Sequence, residues 1–120
     1  MTDRVRNLER FLPIKPKVLH ILLSLADGPR HGYSIMQDVA ARTDGQVRLW
    51  PAAMYGALRE LEELELIAET DKRPAEDDER RRYFLLTPLG TRVLGEEVRR
   101  LEAIVDQARA SRALRKPGRA

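Results

Sequence analysis

The residues able to do chemistry are few, and their types narrow the options quickly. The chain of 120 residues holds two histidines and no cysteine. His20 lies in an apolar helical stretch, where a structural histidine is expected. With His31 it makes no metal-ligand spacing, so no metal site is expected. No nucleophile–base arrangement and no glycine-rich phosphate loop is present. Neither an enzyme nor a bound cofactor is expected. What remains is cationic chemistry. Lys72, Arg73, Arg80, Arg81 and Arg82 flank an acidic run from Glu76 to Glu79. Such cations suit a grip on a phosphate backbone, with the acidic tip turned away. A solvated hairpin with internal ion pairs is the other reading. Arg59 can meet a phosphate or a guanine edge, or pair with Glu62 or Glu63 at helical spacing. His31, just ahead of a helix, can cap exposed amides or meet a phosphate.

These side chains need elements to hold them. Residues 1–15 contain a short amphipathic piece with Leu8, Phe11 and Leu12, closed by Pro13 and Pro16. A helix starts near Pro16 and repeats Val18, Ile21, Leu22 and Leu25 at helical spacing. Asp27-Gly28-Pro29 stops it. A second helix runs from about Gly32 to Arg42, with Tyr33, Ile35, Met36, Val39 and Ala40 on its inner side. Thr43-Asp44-Gly45 is a turn signal. Pro51 opens a third helix over about 51–65, with Met54, Leu58, Leu61 and Leu64 on one stripe. Ala52, Tyr55 and Arg59 fall on another face. Trp50 is read as a packing residue at the start of this helix.

Two strand-like segments follow, Leu66 to Arg73 and Arg81 to Thr87, the latter rich in β formers. Their long polar linker predicts a hairpin with an extended tip. Thr87-Pro88 opens a last helix. Leu94, Val98, Leu101, Val105 and Ala108 recur along it as a heptad seam, which predicts pairing with a second copy. The fold expected is mainly α with a β-hairpin: a winged helix-turn-helix over residues 1–87, a dimerisation helix over 88–113 and a basic tail over 114–120. In such a module the third helix enters the major groove of DNA and the hairpin lies against the backbone.

The motifs then resemble a known family. Gly32-Tyr33-Ser34-Ile35 looks like the opening of helix two in PadR-type transcriptional regulators. Met54-Tyr55-Gly56-Ala57-Leu58-Arg59-Glu60-Leu61-Glu62 resembles their recognition helix, and Leu66-Ile67 the entry to the wing. Arg81-Arg82-Tyr83-Phe84-Leu85-Leu86-Thr87, with Gly90, resembles the signature that closes it. The likeness spans roughly residues 14–95. It implies a repressor acting as a homodimer on a pseudo-palindromic operator in double-stranded DNA and released by a small-molecule effector. It places Tyr33, Ala53 and Tyr55 on the DNA side with His31 and Arg59, the Tyr55 hydroxyl donating to a phosphate. There are departures. Gly56 replaces the usual proline, Ala53 stands where a serine often sits, and Glu65 replaces a glycine that eases the bend from helix to strand. The turn at Glu65 is therefore expected to be tighter or shifted. The last helix lacks the aromatic residue that some small members use to hold flat drugs.

A net charge of +3 permits a polyanionic partner without requiring one. The longest apolar stretch, Val18 to Ala26, is too short to span a bilayer. The charged N-terminus has no apolar signal region. A cytoplasmic protein without a membrane partner is expected. The reading from a different class is a winged-helix adaptor that binds a protein, supported by the acidic half of the third helix and the acidic hairpin tip.

Overall fold

Proline sets where three of the helices begin. In the computed structural model, which describes residues 8–72, 74–75 and 80–115, Pro16, Pro51 and Pro88 open α1 (Pro16–Leu25), α3 (Pro51–Glu63) and α4 (Pro88–Ala110). A fixed φ and a missing N–H are tolerated in a first turn. The remaining helix, α2 (Gly32–Arg42), opens on His31, whose Nδ1 accepts the Ser34 N–H at 3.1 Å. Arg30 binds the end of α1 to α2. Its Nε donates to the Ser24 carbonyl at 2.8 Å, and its guanidinium reaches Asp38 at 3.4 Å.

The expected hairpin is present, with shorter strands: β2 (Ile67–Thr70) pairs with β3 (Tyr83–Leu86). A third strand joins it. The two-residue β1 (Arg30–His31) pairs with the other edge of β3, giving the antiparallel order β1-β3-β2. His31 faces Tyr83 and Thr70 faces the same Tyr83 from the opposite side. Two residues carry no periodicity, so the sequence pattern gave no sign of β1. Its effect is large, because it fixes the start of α2 to the wing.

The core lies where α1, α2, α3, β3 and the first half of α4 meet. Leu22, Ile35, Met54, Leu58, Phe84 and Val93 are all buried there. Tyr33, expected on the inner side of the second helix, is instead 56% exposed. It follows Gly32 on the first turn, ahead of the buried Ile35 and Val39.

The end of α3 controls the next connection. Glu65 has φ 63°, so it takes the left-handed conformation a glycine would take, and the bend is kept rather than shifted. The Leu66 N–H reaches the Leu61 carbonyl at 3.0 Å and the Glu65 N–H the Glu62 carbonyl at 3.0 Å. This pair of bonds is a Schellman ending. The Leu66 carbonyl then accepts the Thr87 N–H at 3.1 Å. The Thr87 hydroxyl donates to the Glu65 carbonyl at 2.6 Å and accepts the Gly90 N–H at 2.9 Å, capping α4. Gly90 is required here: a Cβ on it would lie 1.9 Å from the Leu66 carbonyl oxygen.

α4 divides into two halves. Gly90, Val93, Leu94 and Glu97 are buried against the domain. Leu94, expected in the pairing seam, therefore belongs to its own core. Farther along, Val98, Ile104 and Val105 are exposed, and Leu101 and Ala108 are half-buried. Glu97 is the one buried carboxylate among the described residues. It accepts the Ile14 N–H at 2.8 Å and two bonds from Arg100, at 2.5 and 3.1 Å. It thus holds the N-terminal segment against α4.

Gly90→Ala is expected to destabilise the fold by about 3 kcal/mol or more, since the added methyl meets backbone that cannot rotate away. Gly56→Ala, at an exposed mid-helix site with nothing within 4 Å of the new Cβ, should stabilise by roughly 0.5–1 kcal/mol. Urea unfolding of both variants measures the contrast. The Arg100 hydrogen bonds hold the Glu97 carboxyl below its ordinary pKa, against the opposing effect of burial. A depressed folded pKa contributes stability above the unfolded carboxylate value, and that contribution is lost as pH falls through the folded value. Glu97→Gln should therefore lose roughly 1–3 kcal/mol at neutral pH and show a shallower loss of stability on acidification than the wild type, read from urea midpoints across the acid range.

Candidate nucleic-acid interface

Three elements bring their polar residues to one face. The start of α2 supplies His31 and Tyr33, α3 supplies Tyr55, and the approach to β3 supplies Arg80 and Arg81. Together with Gly32, Arg82 and Phe84 they line a hollow of about 310 Å³. Gly32 makes the assembly possible, because a Cβ there would lie 2.8 Å from the Tyr55 hydroxyl oxygen. The ring of Tyr55 can lie against the first turn of α2 only because that position is bare. Tyr33 and Tyr55 remain 56% and 49% exposed.

His31 does structural work first. It caps α2 through Nδ1 and packs edge-on to Tyr83, with ring centroids 5.2 Å apart. Arg81 Nη1 lies 3.1 Å from the other ring nitrogen, Nε2, so the same imidazole joins the start of α2 to the residues ahead of β3.

The other expected residues are distributed differently. Arg59 is exposed, and no ion pair joins it to Glu62 or Glu63 among the described residues. Glu62 turns toward Arg82 instead. Arg82, expected on phosphate, is held inside the protein's own network. It donates to Glu69 at 2.9 Å, reaches Glu62 at 3.4 Å, and lies 5.1 Å over the Phe84 ring. The bond to Glu69 raises its pKa against the desolvation that lowers it. Its role is to tie the wing to the second half of α3. Ala53 is exposed but lines a different groove, of about 1040 Å³, with Phe11, Val18 and Gly56. Lys72 is exposed just past β2, its N–H donating to the Thr70 hydroxyl at 3.1 Å. Arg73 and the acidic tip at 76–79 lie outside the described residues.

Two contributors escaped the sequence reading. Arg30 orients α2 and carries no motif of its own. Trp50, expected to pack, is 67% exposed at the N-cap of α3. The chemistry available at this face is donation to an acceptor-rich, anionic surface. No cluster of three or more potential metal ligands occurs among the described residues.

Comparison with known proteins agrees with the fold. The sequence profile of the transcriptional regulator PadR-like family matches residues 19–96. An uncharacterized 37.1 kDa protein in transposon TN4556 of Streptomyces fradiae is 43% identical over 77 residues, covering 64% of this chain and 20% of that protein. The match thus spans about a fifth of that relative's length. A PadR family transcription regulator from Clostridium difficile has a TM-score of 0.58 at 26% identity, over 75% of this chain and 94% of the other. A transcriptional regulator from Clostridium thermocellum has a TM-score of 0.62 at 22% identity, over 89% and 92%. The winged-helix fold, the motifs at residues 32–35, 54–62 and 81–90, and the profile match converge: this chain belongs to the PadR-like family of transcriptional regulators.

Proposed function

We propose that the chain binds double-stranded DNA sequence-specifically as a homodimer and represses transcription in the cytoplasm, a small-molecule effector releasing it from its operator. The observation that carries this reading is the convergence of His31, Tyr33, Tyr55, Arg80 and Arg81 on one face beside α3. The approach of α3 to DNA follows from its charge. Residues 45–59 contain two arginines and no carboxylate, whereas Glu60, Glu62, Glu63 and Glu65 crowd its far end. Phosphates repel that end, so the N-terminal half enters the major groove. Tyr55 and Tyr33 then meet phosphate oxygens, Arg59 reaches base edges or backbone, and Lys72, Arg73, Arg80 and Arg81 lie along the flanking backbone.

The second half of α4 supports the pairing. Val98, Leu101, Ile104, Val105 and Ala108 extend past the core as an apolar strip, and a second copy of the same helix would cover it. A two-fold dimer presents two α3 helices and calls for two half-sites of inverted sequence. In this division residues 1–87 read DNA and residues 88–113 pair.

Tyr55→Phe should weaken duplex binding by about 1 kcal/mol, the worth of one hydrogen bond. Arg59→Ala should cost about 1–3 kcal/mol and relax the preference at one base pair per half-site if it reads guanine, or weaken all duplexes equally if it meets phosphate. Anisotropy with an enriched and a scrambled duplex measures both, with thermal melting as the folding control. Wild-type affinity in both variants would remove α3 from the groove and favour the adaptor reading.

The two wing arginines should separate. Arg81→Ala should lower affinity for every duplex alike, while Arg82→Ala should first lower stability, by up to about 1 kcal/mol. Leu101→Glu should convert the dimer to monomers in light scattering. A wild type that is already monomeric at micromolar concentration would contradict the pairing.

A further inference from the structure

Trp50 is the only tryptophan in the chain and, among the described residues, the most exposed large apolar side chain. Its position explains how that exposure arises. Residues 48–50 run without regular structure between the turn after α2 and the start of α3. Leu49 is buried, at 6% exposure, and plugs into the core. Arg48 and Trp50 flank it on the outside, and Trp50 itself adopts extended backbone, φ −85° and ψ 145°. Alternation along an extended segment sends its neighbours away from the side that Leu49 takes. A cation and a flat aromatic thus stand together immediately ahead of the helix assigned to the groove. No described ion pair engages Arg48, and the Trp50 side chain makes no capping bond to α3.

We propose that Trp50 and Arg48 form a clamp on the DNA sugar–phosphate backbone at the point where the chain enters the major groove. This rests on the reading of α3 as the groove-binding helix. A groove about 12 Å wide admits one helix, so the segment that leads into the helix must cross the groove wall, which is sugar and phosphate. The indole face suits the apolar side of a deoxyribose, its Nε1–H can donate to a phosphate oxygen, and Arg48 supplies charge. The surface is continuous with the proposed interface through Pro51 and the carboxylate-free first half of α3. A backbone contact also predicts indifference to base sequence.

The chain's single tryptophan makes the test direct, because all indole emission comes from Trp50. The wild type is titrated with a fluorescein-labelled duplex enriched from a random pool and with a scrambled duplex, while acrylamide quenching of the indole is followed. Saturating duplex should shield Trp50 from acrylamide. Trp50→Ala should weaken both duplexes to a similar extent, by roughly fivefold to tenfold, with an unchanged melting temperature, and Trp50→Phe should recover part of the loss. Arg48→Ala should reduce the slope of log affinity against log salt by about 2, one phosphate contact from each protomer. Duplex binding that leaves acrylamide quenching unchanged, with Trp50→Ala at wild-type affinity, would overturn the clamp while leaving the groove-binding reading in place. Failure to bind any duplex would overturn both.

Discussion

The geometry of this domain depends on one close approach, that of the first turn of α4 to the Leu66 carbonyl. The carbonyl takes the Thr87 N–H at 3.1 Å, and the space beside it is so small that only a glycine fits at position 90. Four elements meet there. α3 ends through the left-handed Glu65, β2 begins at Ile67, and Thr87 both closes β3 and caps α4. If this junction opened, the wing would lose its fixed angle to α3, and α4 would lose its fixed angle to both. A protein that must present a helix and a hairpin to one rigid partner needs that relation to be constant.

A second set of contacts transmits the constraint across the face proposed to meet DNA. β1 joins β3 on the edge opposite β2, so His31 is at once a strand residue, the cap of α2 and a neighbour of Arg81. Arg82 links the wing to the acidic half of α3 through Glu69 and Glu62. The acidic residues of α3 thus have two roles. They bind the wing, and they leave the N-terminal half of the helix as the end that suits an anionic partner. Glu97 does the corresponding work on the far side, fixing the N-terminal segment to α4 through Ile14 and Arg100.

Much of this was legible in the sequence because strong local signals agreed with the tertiary structure. Prolines at 16, 51 and 88, the apolar repeats of α1 and α3, and the Thr87 cap each specify one answer. The readings that failed were those set by tertiary placement. Tyr33 and Trp50 are aromatic, and type alone suggests burial; only the packing of Ile35 and Leu49 shows that both point outward. Leu94 fits the heptad spacing perfectly well, yet the core claims it, because α4 is shared between packing on its own domain and the strip beyond. Arg82 and Arg81 are adjacent and chemically equal, and only the tertiary structure shows that Arg82 turns to Glu69 and Glu62 while Arg81 meets His31. The substitution at Glu65 altered the residue without altering the turn, since the surrounding hydrogen bonds determine the backbone there.

The central claim is that this face meets the phosphates of duplex DNA, and the salt dependence of binding tests it most directly. Neutralising Z phosphates gives a slope of about −0.9Z in log affinity against log salt. With Arg80, Arg81 and Lys72 contributed by each of two protomers, Z is about 6 and a slope of about −5 is expected, measured by anisotropy between roughly 50 and 200 mM salt. An affinity that stays flat over that range would contradict it.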